Sequence, residues 1–377
     1  MPWWRGRSPS AARRRAAILL PSLYGGDATG NDAIAMCETL AAIGFDARLF
    51  AENGDPTLGA HPAAAARDFA ERDTLVIFHQ ATQWDHGFEL FRDLPGARVV
   101  RDHNVTPPEY FEGLSDDFAR ASVVGIRQRE RFARDASIAL FVAASAINAR
   151  ELVDLGAEPG RVVVVPPFHR AAELADVAPD EAALRRWSVG GPTALFVGRL
   201  APNKGHRRAL RVAAAYAELF GEPLRLRFVG FHDPRWARWI AVLGRERESL
   251  GLGSTVDFVG SLTEAELKSA YLTSHVFLCC SEHEGFCVPL VEASELGLPV
   301  VAAYQDAVAD TLGPSGLVLR EASDDALAVA VRRVLRDPEL RDAVVAAQRR
   351  NVRERFARDR VRDAFLRAIG PIAPRSA

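Results

Sequence analysis

At 377 residues the chain is long enough for two domains of roughly 150 residues each. Its composition, 48% hydrophobic and 25% charged, is that of a soluble globular protein, and a net charge of −2 argues against a general nucleic-acid binder. No apolar run approaches the ~18 residues that cross a bilayer. The cysteines (Cys37, Cys279, Cys280, Cys287) form no Cys-x2-Cys motif. They read as small buried residues in a reducing compartment.

Residues 1–15 carry arginines ahead of a short apolar segment that runs straight into a glycine turn. They read as a disordered basic tail rather than a signal peptide, with the cytoplasm as default location. A first strand follows over 16–25, then a helix near Asp32–Ile43 with Thr29 or Asn31 as its cap, and a second strand at Phe45–Phe50. The turn Gly25-Gly26 stands at the carboxyl end of the first strand, where open α/β sheets bind ligands. Its spacing, GG-x3-G, fails the dinucleotide fingerprint, so a plain tight turn and a ligand contact weigh about evenly.

Strands at Thr74–His79, Arg98–His103, Ala139–Ala143 and Val162–Val165 alternate with helical stretches, the pattern of a parallel sheet. Two of them end in histidine. A lone histidine is usually structural, but the strand-end position favours His103, which opens the rigid loop HNVTPPEYF, more than His79. Arg120, Arg127, Arg131 and Arg134 share a helical face. With Glu130 placed to pair with Arg127 and Arg134, an ordinary solvated face is favoured over contact with anionic lipid at the inner membrane surface.

Residues 16–167 thus form a first domain, 168–190 a linker with little strand character, and 191–352 a second domain. It opens with FVGRLAPNKG, where Gly198, Arg199 and Lys204 follow a strand and precede a helix. Two cations at a helix N-terminus suit a diphosphate, with a solvated loop as the bland alternative; the spacing is not that of a Walker loop. VFLCCSEHEGFCVPLVEASELGLPVVA then reads as buried strand, loop, short helix and buried strand. Glu284 and Glu292 frame the loop, with the amides of Phe286, Cys287 and Val288 at the helix start. Carboxylates accept from hydroxyls and helix starts attract phosphate, although either glutamate alone would be unremarkable on a protein surface.

The Glu284–Glu292 string, together with FVGRLAPNKG and VDFVGSLTEAELKSAYLTSHVFLCCSEHEGFCVPLVEA, resembles retaining glycosyltransferases of family 4. The resemblance covers most of residues 193–320. The first half matches more loosely, through the glycine turn, HNVTPPEYF and the strand order. It implies a GT-B fold: an α/β architecture of two Rossmann-like domains facing each other across a cleft. The acceptor would bind the first domain, the donor the second, and a last helix over about 353–377 would cross back to the first. The implied reaction moves a hexose from a UDP- or GDP-linked donor to a glycan, lipid-linked or small-molecule acceptor. Arg199 and Lys204 would hold the diphosphate, Glu292 the ribose and Glu284 the hexose. The backbone of Phe286–Val288 would lie beside sugar and phosphate, and the Gly260–Leu262 loop would edge the base. Gly25 and Gly26 would approach donor phosphate or acceptor, and His103 would face the reacting carbon. Many relatives have glycine where Cys287 stands, which bears on sugar choice. No Asp-x-Asp motif is present, and neither metal nor cofactor is expected beyond the nucleotide-sugar substrate. A GT-B epimerase or phosphorylase and a non-catalytic sugar-nucleotide binder are the alternatives. Oligomeric state has no sequence signal.

Overall fold

The computed structural model describes residues 14–373. The expected basic tail lies outside the described residues through position 13, and Arg15 already opens the first strand. Strands β1 (Arg15–Leu23), β2 (Asp46–Gly54), β3 (His61–Pro62), β4 (Leu75–Gln80), β5 (Ala97–Asp102), β6 (Ile138–Ala143) and β7 (Val162–Val164) build one sheet. Its spatial order is β3-β2-β1-β4-β5-β6-β7. Strands β8 (Thr193–Val197), β9 (Arg225–Val229), β10 (Val256–Gly260), β11 (Val276–Cys279), β12 (Val300–Ala303) and β13 (Leu317–Leu319) build the second, in the order β10-β9-β8-β11-β12-β13. Every neighbouring pair in both sheets is parallel.

Parallel strands are covered on both faces, so their side chains feed two cores per sheet. Consecutive Cys279 and Cys280 illustrate it: Cys280 joins the core with Phe196 and Leu278, and Cys279 the opposite one with Leu195 and Phe277. Each sheet reverses its strand order beside its first strand, at β1/β4 and β8/β11. Such a switch point opens a crevice at the carboxyl ends of the strands.

The first helix runs from Ala28 to Ala42, and its cap is Asp27, not Thr29 or Asn31. The Asp27 carboxylate accepts the Gly30 amide at 3.1 Å, which places Thr29 and Asn31 inside the first turn. Residues 168–190 hold two helices, Ala171–Asp176 and Glu181–Trp187, and Trp187 is buried in the core of the second sheet. The helix Arg358–Ile369 buries Val361, Phe365 and Ile369 in the core of the first sheet, beside Ile18 and Phe168. The lobes also touch across the crevice. Phe118 stacks on Trp236 with centroids 4.1 Å apart, and the Tyr110 hydroxyl donates to the Glu282 carbonyl at 3.2 Å.

Candidate active site

The loop after β8 turns at Gly198, whose amide donates to the Val229 carbonyl at 2.9 Å. Arg199 is exposed, and among the described residues no acceptor lies within hydrogen-bonding distance of it. Gly205 sits at φ +74°, and a Cβ there would meet the Cys280 carbonyl oxygen at 1.8 Å. Only glycine lets this loop lie flat against the end of β11. Asn203 fastens the same contact: its side chain donates to the His283 carbonyl at 2.9 Å, and its carbonyl accepts the Glu282 amide at 2.9 Å.

This zipper brings two residues 80 positions apart in sequence into one ion pair. Lys204 Nζ lies 2.8 Å from both Oε1 and Oε2 of Glu284. Their side chains keep 19% and 8% of their exposure, so the pair is screened little. Glu284 is followed by Gly285, where a Cβ would meet the His103 carbonyl oxygen at 2.3 Å. The loop after β11 and the HNVTPPEYF loop therefore meet backbone to backbone.

Phe286 turns inward and packs on Phe356 (centroids 5.2 Å), while its carbonyl accepts the Thr311 hydroxyl at 2.6 Å. Cys287 caps the helix Val288–Glu295 with φ +74° and ψ +71°, left-handed backbone that side chains other than glycine seldom adopt. Its thiol is pushed well up by a hydrogen bond with Cys279 and by burial. A protonated thiol is a poor nucleophile. Val288 is the first helical residue, and Glu292 lies one turn in, where Oε2 accepts the Tyr271 hydroxyl at 2.7 Å. Burial raises the Glu292 pKa, against the opposing pull of that hydrogen bond. Gly260, at φ +84°, accepts the Gly230 amide at 2.9 Å, and Leu262 is half-buried just beyond it. Gly25 and Gly26 are exposed, with nothing within 4 Å of a Cβ at either, and Gly26 has φ +79°.

Across the crevice, His103 Nε2 lies 2.9 Å from His79 Nδ1 and 3.5 Å from Asp32 Oδ2. Asp32 is fully buried; Arg101 holds it through Nε (2.7 Å) and Nη2 (3.3 Å), and the Phe168 amide donates to it at 2.7 Å. Burial would raise the Asp32 carboxyl, but Arg101 and the two histidines hold it below its ordinary value. Burial drives the His79 pKa down to about 4 and that of His103 well below the ordinary range, so both rings are neutral. With a carboxylate beside it, His103 Nε2 is the favoured proton-bearing nitrogen, which leaves Nδ1 as a hydrogen-bond acceptor. Asp32, His79 and His103 each bring a ligand atom within 4.8 Å of the others. The Arg101 guanidinium on both Asp32 oxygens supplies the positive charge there, so the set is better suited to holding a proton than a cation.

Sequence reasoning missed Asp32, Arg101, Tyr271 and Asn203. The signal for the first two was a charged residue inside a buried strand, RVVRDH, which requires an equally buried partner. Arg129 was missed likewise. It faces inward from the arginine-rich helix to hold Asp102 at 2.8 and 2.9 Å and Glu151 at 2.8 Å. On the outer face Glu130 pairs with Arg134 at 2.8 Å, whereas Arg127 lies in no ion pair among the described residues.

Residues 183–351 match the family model described as Glycosyl transferases group 1. Among similar proteins are a D-inositol 3-phosphate glycosyltransferase of Acidothermus cellulolyticus, 34% identical over 52% of this chain and 46% of that one. A GDP-mannose-dependent alpha-mannosyltransferase of Mycobacterium tuberculosis is 35% identical over 41% of this chain and 39% of that one. The chain thus spans less than half the length of these two relatives. The structure of Anabaena Alr3699/HepE in complex with UDP-glucose superposes over 95% of this chain and 99% of that one, with TM-score 0.75 and 15% identity. No helix among the described residues is long and apolar enough to cross a membrane. The chain has the GT-B fold, two parallel-sheet α/β lobes, and carries over residues 183–351 a segment that matches the glycosyl transferases group 1 family.

Proposed function

We propose that the chain is a retaining glycosyltransferase that moves a hexose from a UDP- or GDP-linked donor to an acceptor hydroxyl. The observation that carries this reading is the Lys204–Glu284 pair at the β8/β11 switch point, on a loop whose Gly285 lies against the His103 carbonyl of the other lobe, with Glu292 one turn into the helix that follows. The donor occupies the second domain, 191–352, and the acceptor the first, 16–167, with 168–190 as linker and the helix near 353–377 crossing back. The GDP-mannose and UDP-glucose in the names of similar proteins support this donor class. Peripheral membrane contact is a further expectation for the arginine face at 120–134.

In this reading Arg199 and Lys204 take the diphosphate and stabilise it more as it departs and gains charge. Glu292 accepts from the ribose, with Tyr271 fixing one oxygen. Glu284 accepts from hexose hydroxyls, the backbone of Phe286–Val288 lines the sugar-phosphate junction, and the Gly260–Leu262 loop edges the base. Gly25 and Gly26 leave open space for the acceptor. A retaining glycosidase would use a carboxylate as nucleophile. Here Glu284 is held by Lys204, and same-face attack guided by the leaving phosphate is the better fit. His103 Nδ1 accepts a substrate hydroxyl near the reacting carbon.

The test is a thermal-shift panel of UDP-, GDP- and ADP-sugars, followed by donor hydrolysis and transfer. Lys204→Ala is expected to weaken donor affinity by about tenfold or more. Unchanged donor affinity in that variant rejects the diphosphate assignment.

A further inference from the structure

A lysine that is to hold a diphosphate is bound instead, through all its strong contacts, to the carboxylate assigned to the sugar. Lys204 Nζ is equidistant, at 2.8 Å, from the two Glu284 oxygens. Asn203 and Gly205 fix the loop that presents it, so the pair is a product of the backbone packing rather than of two wandering surface chains. Arg199, by contrast, is exposed and free of any acceptor among the described residues. The two cations are therefore unequal: Arg199 is exposed and only faces the Asp233 carboxylate at longer range, and Lys204 is neutralised in advance.

We propose that the Lys204–Glu284 pair selects the intact sugar nucleotide over the spent nucleoside diphosphate; this rests on the donor-site reading above. For Lys204 to turn its charge on a diphosphate it must loosen its hold on Glu284. Glu284 is 92% buried by its neighbours, and a buried carboxylate that loses its partner is strongly disfavoured. An attached hexose resolves this, because its hydroxyls donate to the two oxygens that Lys204 gives up. A bare nucleoside diphosphate brings phosphates but no hydroxyls to that position, so it binds against an uncompensated carboxylate. Once the hexose has been transferred, Glu284 reclaims Lys204 and weakens the hold on the remaining diphosphate. Glu284 is thus a specificity-determining residue for donor against product and assists product release.

The test is calorimetric titration of the full chain with UDP, GDP, UDP-glucose and GDP-mannose, in wild type, Glu284→Gln, Lys204→Ala and the double variant. Glutamine keeps acceptor capacity for hydroxyls but lacks the charge that ties up Lys204. The expected result is that Glu284→Gln binds the cognate nucleoside diphosphate roughly threefold to tenfold more tightly than wild type. The ratio of diphosphate to sugar-nucleotide dissociation constants falls at the same time, and the gain vanishes in the double variant. Glu284→Asp, which retracts the carboxylate by one methylene, is expected to show a smaller gain and serves if the glutamine variant does not fold. Wild type that binds UDP or GDP while neither Glu284 variant binds it more tightly overturns this inference and leaves the donor site standing. Wild type that binds no nucleotide or sugar nucleotide overturns both.

Discussion

At the scale of single residues, Gly285 is a point where the two lobes meet backbone to backbone. It separates Glu284 from Phe286 and lies against the first lobe's His103 carbonyl, where a methyl group would stand 2.3 Å from oxygen. Backbone cannot yield as a flexible side chain does, so Gly285→Ala must push the loop and the HNVTPPEYF segment apart. Misplacement by about 1 Å at reacting groups costs on the order of 10²-fold in rate. We expect Gly285→Ala to lose turnover by that order while keeping affinity for nucleoside diphosphate within about threefold, measured as kcat against Kd. Loss of both together would place the damage in the donor site itself. The glycine was legible in the sequence as a loop residue between two glutamates. Its reason was not, because the atom that excludes a side chain belongs to residue 103. The same holds for Cys287: the departure from glycine was readable, but not the left-handed backbone or the Cys279 thiol that receives it.

At the scale of elements, the central strands were readable because they are apolar on both faces and the strands at the reversal points run into glycine-bearing loops, whereas the exposed two-residue β3 and the short, half-buried β13 carry no such signal. What sequence could not supply is which helix stands beside which, and the nucleotide side of the site depends on one such neighbour. The helix Glu264–Leu272, opened by a reciprocal capping box between Thr263 and Glu266, carries Tyr271 to Glu292 on the helix Val288–Glu295. Periodicity marks Tyr271 only as a core residue. The Tyr271 hydroxyl stabilises the ionised form of Glu292, whose pKa burial has already raised. Tyr271→Phe removes the opposing pull, so the carboxyl takes up its proton at higher pH. Only the ionised carboxylate is a pure acceptor for the two ribose hydroxyls. Nucleoside diphosphate binding in Tyr271→Phe is therefore expected to weaken as pH falls, starting at higher pH than in wild type, with little difference at pH ~8. Binding curves that keep the same acid limb in both proteins would detach Glu292 from the ribose.

At the scale of the whole molecule, the proposed transfer needs both lobes, and the structure joins them by chain crossings and by side-chain contacts. Chain crossings tie them covalently, with the helix Arg358–Ile369 sealed into the first lobe's core. Across the crevice the lobes also meet in a small aromatic clasp. Trp236 of the second lobe stacks on Phe118 at 4.1 Å and 12° and meets Phe111 at 5.4 Å, while Arg235 covers the Phe118 ring at 4.6 Å. Phe111 is counted among the second lobe's own core residues although its chain belongs to the first. Such a contact is worth a few kcal/mol: about 0.5–1.5 for each aromatic pair beyond the area it buries. That is small enough to open for substrate and large enough to bias closure. Trp236 is 5% exposed, and its ring partners are Phe111 and Phe118 of the first lobe. Trp236→Ala should therefore leave each lobe folded and the second lobe's hold on nucleotide nearly intact, while shifting the population towards an open crevice. Small-angle scattering is expected to give a larger radius of gyration for the variant. Nucleoside diphosphate affinity should stay within about threefold, and transfer to acceptor should fall by about tenfold or more, because in the proposed reaction that step alone requires His103 against the donor. Unchanged scattering and unchanged transfer would show that the clasp is packing without a part in closure, and that the remaining contacts, Gly285 on the His103 carbonyl and Tyr110 on the Glu282 carbonyl among them, suffice to hold the lobes.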